Sequence, residues 1–360
     1  MKSTGNKLLD ATIRSLQKQL NNPEIFSNGP GFERATPLTT SSTTLDAAIG
    51  LGGIPIGRVI EIFGPESSGK TSLAMTLLKQ WFENRDALGQ TDRKPLWVDA
   101  EHATGNDMLK GFGIDPDEVI WMKPKTSEQA LNSIETLVGT GQIGIVIVDS
   151  IDALQTEDEI KREIGEESMG GGGLPKHLSK HLREVSKTAF DTNTTMIYLN
   201  QIRASMQMHG SPITTPGGNG LKFYSSLRLQ TMPRQDSPTK GAFLMRVKII
   251  KNKCAPPRKD PVEIDFLYAK GPEPFADVIT AAKEAGVIRF AGPTSKVKWY
   301  DADTEETLAT GGAAGIKALL RDDPALYERL RKSVFSAGGT IDSATASDTE
   351  DELGDDQLDP

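Results

Sequence analysis

Eight residues, Gly64-Pro65-Glu66-Ser67-Ser68-Gly69-Lys70-Thr71, fit the pattern G-x-x-x-x-G-K-[ST]. That pattern constrains the fold as well as the loop. It works only where a β-strand ends and a helix starts, because the turn's backbone N–H groups and the helix N-terminus together make an anion cradle. Both flanks are right here: residues 58–63 read as a strand, and a helical stretch begins at Lys70. The pattern predicts that Gly64, Pro65, Glu66, Ser67, Ser68 and Gly69 wrap phosphate. Lys70 would reach the β- and γ-phosphates, and Thr71, followed by Ser72, would offer a hydroxyl to Mg²⁺.

From about residue 39 to 269, short β-rich apolar runs alternate with helical stretches. That rhythm predicts an α/β fold with a mostly parallel sheet between helices. The candidate strands are 58–63, 96–99, 144–149, 196–200, 226–229 and 243–250. Thr126 with Gln129 makes a capping box opening a helix that carries Leu131, Ile134, Leu137 and Val138. Near the start, Leu9, Ile13, Leu16 and Leu20 draw one apolar stripe, stopped by Asn21-Asn22-Pro23. A short helix of this kind must dock, on its own body or on a neighbouring subunit. Two glycine-rich stretches, 165–173 and 204–219, break the rhythm and read as functional loops. After Lys270-Gly271-Pro272, helical segments 276–285 and 313–320 and a strand at 297–300 predict a small α/β domain ending near Phe335.

Charge matters for what such a chain can bind. Asp and Glu number 49 against 41 Lys and Arg, for a net charge of −8. The surplus sits in residues 333–360, which contain Asp342, Asp348, Glu350, Asp351, Glu352, Asp355, Asp356 and Asp359 and no basic residue. The body is therefore neutral on average, and a polyanionic partner is compatible with it. The tail reads as disordered, serving solubility or competing for a basic groove. The longest apolar run, Ile145 to Val148, is too short to span a bilayer, and the single cysteine, Cys254, excludes an intrachain disulfide. A reducing cytoplasm is the expected location.

Three further strand ends carry polar chemistry. Ile145-Val146-Ile147-Val148-Asp149 places a carboxylate at the sheet edge, where it serves the magnesium held through Thr71 or caps the next helix. Asp99 and Glu101 follow the run Leu96-Trp97-Val98; Glu101 is placed to deprotonate an attacking water and Asp99 to hold position through hydrogen bonds, unless both are surface acids. Asn200-Gln201-Ile202-Arg203 leads from a strand into the second glycine-rich loop, the outline of a phosphate-sensing switch. Lys176, Lys180 and Arg183 make one basic helix face, for phosphate contact or solvation. His177 and His181 are at metal-ligand spacing without a third ligand, and Phe223 and Tyr224 read as packing residues beginning a strand.

Together GPESSGKT, DAEH, IVIVDS, the stretch 163–170, NQIR, TTPGGNGLKFY and Lys251-Asn252-Lys253 resemble, in order and spacing, the bacterial and phage RecA recombinases. So does the upstream segment from Leu45-Asp46 to Gly57-Arg58, and the resemblance covers roughly residues 5 to 330. It implies a DNA-dependent ATPase that uses ATP and Mg²⁺ and polymerises as a helical filament on single-stranded DNA. Such a filament pairs its strand with homologous duplex DNA in recombination, repair and the SOS response to DNA damage. It implies Lys70, Thr71 and Asp149 as phosphate and metal ligands, Glu101 as base and Gln201 as γ-phosphate sensor. Lys251 and Lys253 would reach the adjacent protomer's nucleotide. The DNA loops would lie near 163–173 and 202–218, with Met169, Gly170, Lys176, Ile202, Arg203, Thr214, Gly217 and Gly218 on DNA.

The implied organisation is a helix and linker for protomer docking over 1–38, an ATPase core over 39–270, a small domain over 271–335 and an acidic tail over 336–360. Departures from the family are Met108 where an aromatic commonly stacks on adenine, Gly105 where an acid stands, the run Gly170 to Gly173, a slightly shorter second loop, and His209 near an expected aromatic. A ring helicase on the same core would bring a larger N-terminal domain than the roughly 40 residues present, and a P-loop small-molecule kinase would need an acceptor lid.

Overall fold

The computed structural model describes residues 5–21, 36–102, 104–161, 173–204, 213–256, 258, 260–291, 298–302, 304–310 and 312–338. They fall into two units, residues 1–36 and 37–360. In the first, α1 (Lys7–Gln19) is capped by Asn6, whose Oδ1 accepts from the backbone N–H groups of Leu8 and Leu9 at 3.1 and 3.2 Å. Past its end Asn21 takes a left-handed φ of 47°, the conformation asparagine tolerates where a helix stops.

The second unit is an α/β layer structure. Its strands are β1 (Val59–Gly64), β2 (Lys94–Asp99), β3 (Ile120–Met122), β4 (Ile143–Asp149), β5 (Thr195–Gln201), β6 (Leu227–Thr231), β7 (Ala242–Asn252) and β8 (Val262–Leu267). Spatially they run β8-β7-β6-β1-β5-β4-β2-β3, with Gly271–Pro272 beyond β8. All neighbours from β6 to β3 are parallel, while β7 and β8 are antiparallel additions. The sheet is thus mixed and mostly parallel, with loops that follow the parallel strands gathered at one carboxyl edge.

Both faces are covered. Ile145 and Ile147 of β4 point to one cluster with α2 (Thr43–Ile49) and α3 (Lys70–Asn84), while Val146 and Val148 point to the other with α4 (Ser127–Gly139) and α5 (Gly173–Asp191). This explains why β4 is an unbroken apolar run: a parallel strand sandwiched by helices has no polar face. The capping box of α4 forms with a shift, since Thr126 Oγ1 accepts from Gln129 N while Gln129 Oε1 accepts from Lys125 N rather than from the cap itself.

A third cluster joins α6 (Pro274–Glu284), α7 (Gly312–Asp322) and α8 (Pro324–Gly338) to a small antiparallel sheet of β9 (Ile288–Ala291), β10 (Lys298–Asp301) and β11 (Thr307–Thr310). Asp277 of α6 ties this cluster to α2. Its carboxylate accepts from Ser42 Oγ at 2.6 Å and from the backbone N–H groups of Thr43 and Thr44, so it caps the helix from outside. Among the described residues no helix is long and apolar enough to cross a membrane.

The sheet strands β2, β4, β5 and β7 extend the sequence-predicted ones by one or two residues, β1 and β6 begin one residue later than predicted, and β3, β8, β9 and β11 were not predicted at all. The residues Phe223 and Tyr224 do not begin a strand. They end a short helix, Gly220–Tyr224, and Phe223 is 69% exposed, which corrects its reading as a packing residue.

Candidate functional site

The phosphate loop leaves β1 at Gly64 and enters α3 at Lys70, as its pattern requires. Gly69 turns the corner at φ 95°, where a Cβ would lie 2.6 Å from Met245 Cε. Ser67, a non-glycine residue, also takes a positive φ of 57°. Ser68 Oγ donates to the Pro65 carbonyl at 2.7 Å and pairs with Thr231 Oγ1 on β6, so the loop is held to its neighbour strand. The Lys70 ammonium rests on the carbonyls of Gly64 and Pro65 at 3.2 and 2.8 Å. Burial pulls its pKa below the usual lysine range, against the opposing pull of Asp149, Glu101 and Glu66.

Register brings the remaining polar groups to this edge. Gly64 is paired with Gln201, and Asp99 with Asp149. Thr71 Oγ1 donates to Asp149 Oδ2 at 3.0 Å. Burial, with the charges of Glu101 and Asp99 nearby, raises the Asp149 carboxyl to about 7. Ser150 Oγ and Gln201 Nε2 both donate to Glu101 Oε1, the latter at 3.4 Å. Asp99 does not do what its sequence position suggested: it is 1% exposed, yet among the described residues neither carboxylate oxygen has a hydrogen-bond partner. The expectation that Asp99 holds position through hydrogen bonds is therefore corrected. A cleft of about 520 Å³ opens beside Glu101, lined by Ala100, His102, Lys123, Lys125, Thr126 and Gln155 among others.

The other predicted residues are dispersed around this centre. Met108 is half-buried in the short helix Asn106–Gly111, packed on the apolar cluster of the α3 face. Lys251 Nζ donates to the carbonyls of Lys222 and Phe223 at 2.5 and 3.0 Å, and Lys253 Nζ to that of Phe223 at 3.1 Å. Burial and the neighbouring cations Lys253 and Arg228 lower Lys251 to about 8. Arg203 is paired with Asp152 at 2.5 Å, and Ile202 is half-buried. Residues 203–204 and 213–214 form a two-residue antiparallel neck, with Arg203 opposite the exposed Thr214.

Gly217, at φ 82°, is buried where a Cβ would meet Leu178 and Ile151, and Gly218, at φ 75°, backs onto Pro175. Lys176, Lys180 and Arg183 are exposed on α5. His177 and His181 each face a carboxylate of α4, Glu128 at 3.2 Å and Glu135 at 2.9 Å, and among the described residues no group of three or more His, Cys, Asp or Glu converges as a metal cage. Met169, Gly170 and most of 163–173 lie outside the described residues, as do His209 and the tip of the second loop.

A model of the RecA N-terminal domain matches residues 7–273 of this chain. The chain belongs to the RecA family. RecA-family relatives extend the likeness beyond that domain. The chain is 37% identical over 334 residues to Protein RecA of Chlorobium chlorochromatii, covering 91% of this chain and 90% of that protein. It is 33% identical to Protein RecA of Thermus thermophilus, over 97% and 99% of the two chains, and 35% identical to that of a Nocardioides species, over 94% and 95%. The sheet, its flanking helices and the phosphate loop are thus those of a RecA-type ATPase core.

Sequence reasoning missed a polar group behind the site. Glu61, Asn200 and Arg228 are all buried within β1, β5 and β6. The available signal was Glu61 itself, an acid at an inward position of an otherwise apolar strand.

Proposed function

We propose that this chain is an ATP-dependent DNA recombinase that assembles as a filament on single-stranded DNA and pairs it with homologous duplex. A cytoplasmic location goes with that reading. The observation that carries it is the meeting of Glu101, Ser150 and Gln201 next to the Thr71–Asp149 pair, Ser150 following Asp149 in the chain and Glu101 acting electrostatically on Asp149. One cluster contains a base, its orienting hydroxyl and an amide able to change partner.

Lys70 exchanges the Gly64 and Pro65 carbonyls for phosphate oxygens, a gain because the new partner is charged. Thr71 and Asp149 would hold Mg²⁺, and the orphaned oxygens of Asp99 supply acceptors for water around it; the ion would neutralise charge on the β- and γ-phosphates. Glu101, oriented by Ser150, takes a proton from water as it attacks the γ-phosphorus, and ADP leaves. Gln201 releases Glu101 to bond the γ-phosphate, and that motion passes into the segment that begins at Ile202.

Lys251 and Lys253 would serve the nucleotide of an adjacent protomer, Met108 would cover the base, and α1 would dock protomers together. The basic face from Lys176 and the loops near 163–173 and 202–218, with Met169, Gly170, Ile202, Arg203, Thr214, Gly217 and Gly218, would hold the DNA. The small domain at 271–335 and the tail from 336 would lie outside the ATPase core. The relatives, all bearing the name Protein RecA, do not favour a ring helicase.

The test is ATP hydrolysis with and without single-stranded DNA, together with negative-stain imaging of the complex with an ATP analogue. Stimulated turnover with helical filaments supports the reading. Rings, or turnover indifferent to DNA, would overturn it.

A further inference from the structure

Glu61 and Arg228 have no task in the chemistry above, yet they are buried in the two strands behind it. Glu61 is fully buried in β1, three positions before Gly64. Arg228, 8% exposed, is its register partner on β6, and Asn200, fully buried, stands on β5 at the other side. Arg228 Nε donates to Glu61 Oε2 at 2.5 Å and Asn200 Nδ2 to Glu61 Oε1 at 3.1 Å.

Each partner of the carboxylate also touches another part of the site. Asn200 Oδ1 accepts the backbone N–H of Gln201 at 3.0 Å, and its Nδ2 also donates to the Pro216 carbonyl at 3.1 Å, at the root of the second loop. The Arg228 guanidinium lies 4.5 Å from the ring centroid of Phe63, next to the phosphate loop, and Arg228 is paired across the ladder with Lys251. Apolar side chains would fill the same space without the cost of desolvating two charges, so packing alone does not account for an ion pair here.

We propose that Glu61, Arg228 and Asn200 form a positioning group that couples the state of Gln201 to the loop rooted at Pro216 and to Lys251. The lever is Asn200. With its amide held by Glu61, a shift of the Gln201 backbone moves Asn200 as a body and changes the bond to Pro216. Arg228 holds the Glu61 side chain in place, and carries the same displacement toward the strand of Lys251. The inference rests on the DNA-dependent ATPase reading and adds the residues that transmit within it.

The test measures coupling rather than activity. Single-stranded DNA affinity is measured by fluorescence anisotropy with ADP and with a non-hydrolysable ATP analogue, and the ratio of the two is the coupling factor. Wild type is compared with Glu61→Gln, Arg228→Met and the double variant, which removes both buried charges and so avoids stranding one of them. Folding is verified by circular dichroism. The expected result is a coupling factor reduced about tenfold in the double variant, with affinity for the fluorescent ATP analogue within about threefold of wild type. The single variants should lower it as much as the double does, as members of one unit do. A folded double variant that keeps the wild-type coupling factor, or one that loses nucleotide affinity with the factor unchanged, overturns the inference alone. A wild type whose DNA binding ignores nucleotide overturns the underlying reading as well.

Discussion

Gly64 has no room for a side chain. A Cβ there would lie 2.2 Å from Thr231 Oγ1 and 2.3 Å from the Thr231 carbonyl, which is backbone of the adjacent strand and cannot swing away. Gly64→Ala should therefore cost about 1–3 kcal/mol of stability by overpacking, read as a lower urea midpoint, and should weaken nucleotide binding with it. Glu101 is the opposite case, since its carboxylate is exposed and held by Ser150 and Gln201. Glu101→Gln should leave nucleotide affinity near wild type and lower DNA-stimulated turnover by about 10²–10⁴-fold; single-turnover hydrolysis checks it, and full turnover would remove Glu101 from the role of base. At this scale the sequence was most readable where side chains have one job in a fixed local frame, as in the phosphate loop. Asp99 was misjudged because its partners depend on neighbouring strands, and Phe223 because a five-residue helix carries too little periodicity to be distinguished from a strand start.

Among the elements, α2 is held by two buried carboxylates: Asp277 joins it to α6, and its own Asp46 ties it to the Thr39–Thr40 segment. Asp277 caps α2 and is raised to about 6, mainly by burial; Asp46 is raised to about 7 for the same reason, despite hydrogen bonds from Thr39 and Thr40. Both folded-state values exceed the ordinary 3.8 of a free aspartate. The folded state thus binds more protons than the unfolded state between about pH 4 and 7, so these groups make stability fall as pH rises through that window. Asp46→Asn and Asp277→Asn should gain stability relative to wild type as pH rises from about 4 to about 7, and the difference should level off above it. Thermal unfolding at a series of pH values measures this; a difference that does not vary with pH would contradict it.

Elements were legible in the sequence when they were long and periodic or uniformly apolar, as β4 and α4 are. The three residues of β3, at the sheet edge, give no pattern of their own, and β8 alternates Val262, Ile264 and Phe266 inward with Glu263 and Asp265 between them, which a search for apolar runs passes over.

For the whole molecule, charge is the global variable. The helix α8 runs to Gly338, beyond the predicted end of the small domain near Phe335, and all eight acids of the terminal segment follow it. Removing residues 339–360 should accelerate loading onto duplex DNA and steepen its dependence on salt, measured as the slope of log affinity against log salt concentration, because a competing acidic segment is itself screened as salt rises. An unchanged slope and rate would leave the segment a solubility device. The order of strands was not readable from the chain, because periodicity reports an element's faces and not its neighbours.

That order has a consequence for how the protein is made. The strand that carries the phosphate loop lies between β5 and β6, and its bonds to them join residues 139 and 167 positions apart in the chain. Contacts so distant close late and slow the search for the native topology. On the ribosome the phosphate loop emerges early but cannot be clamped until Thr231 has followed it out of the exit tunnel. A nascent chain that stops short of β6 should therefore carry the whole phosphate-binding pattern and still fail to retain a nucleotide.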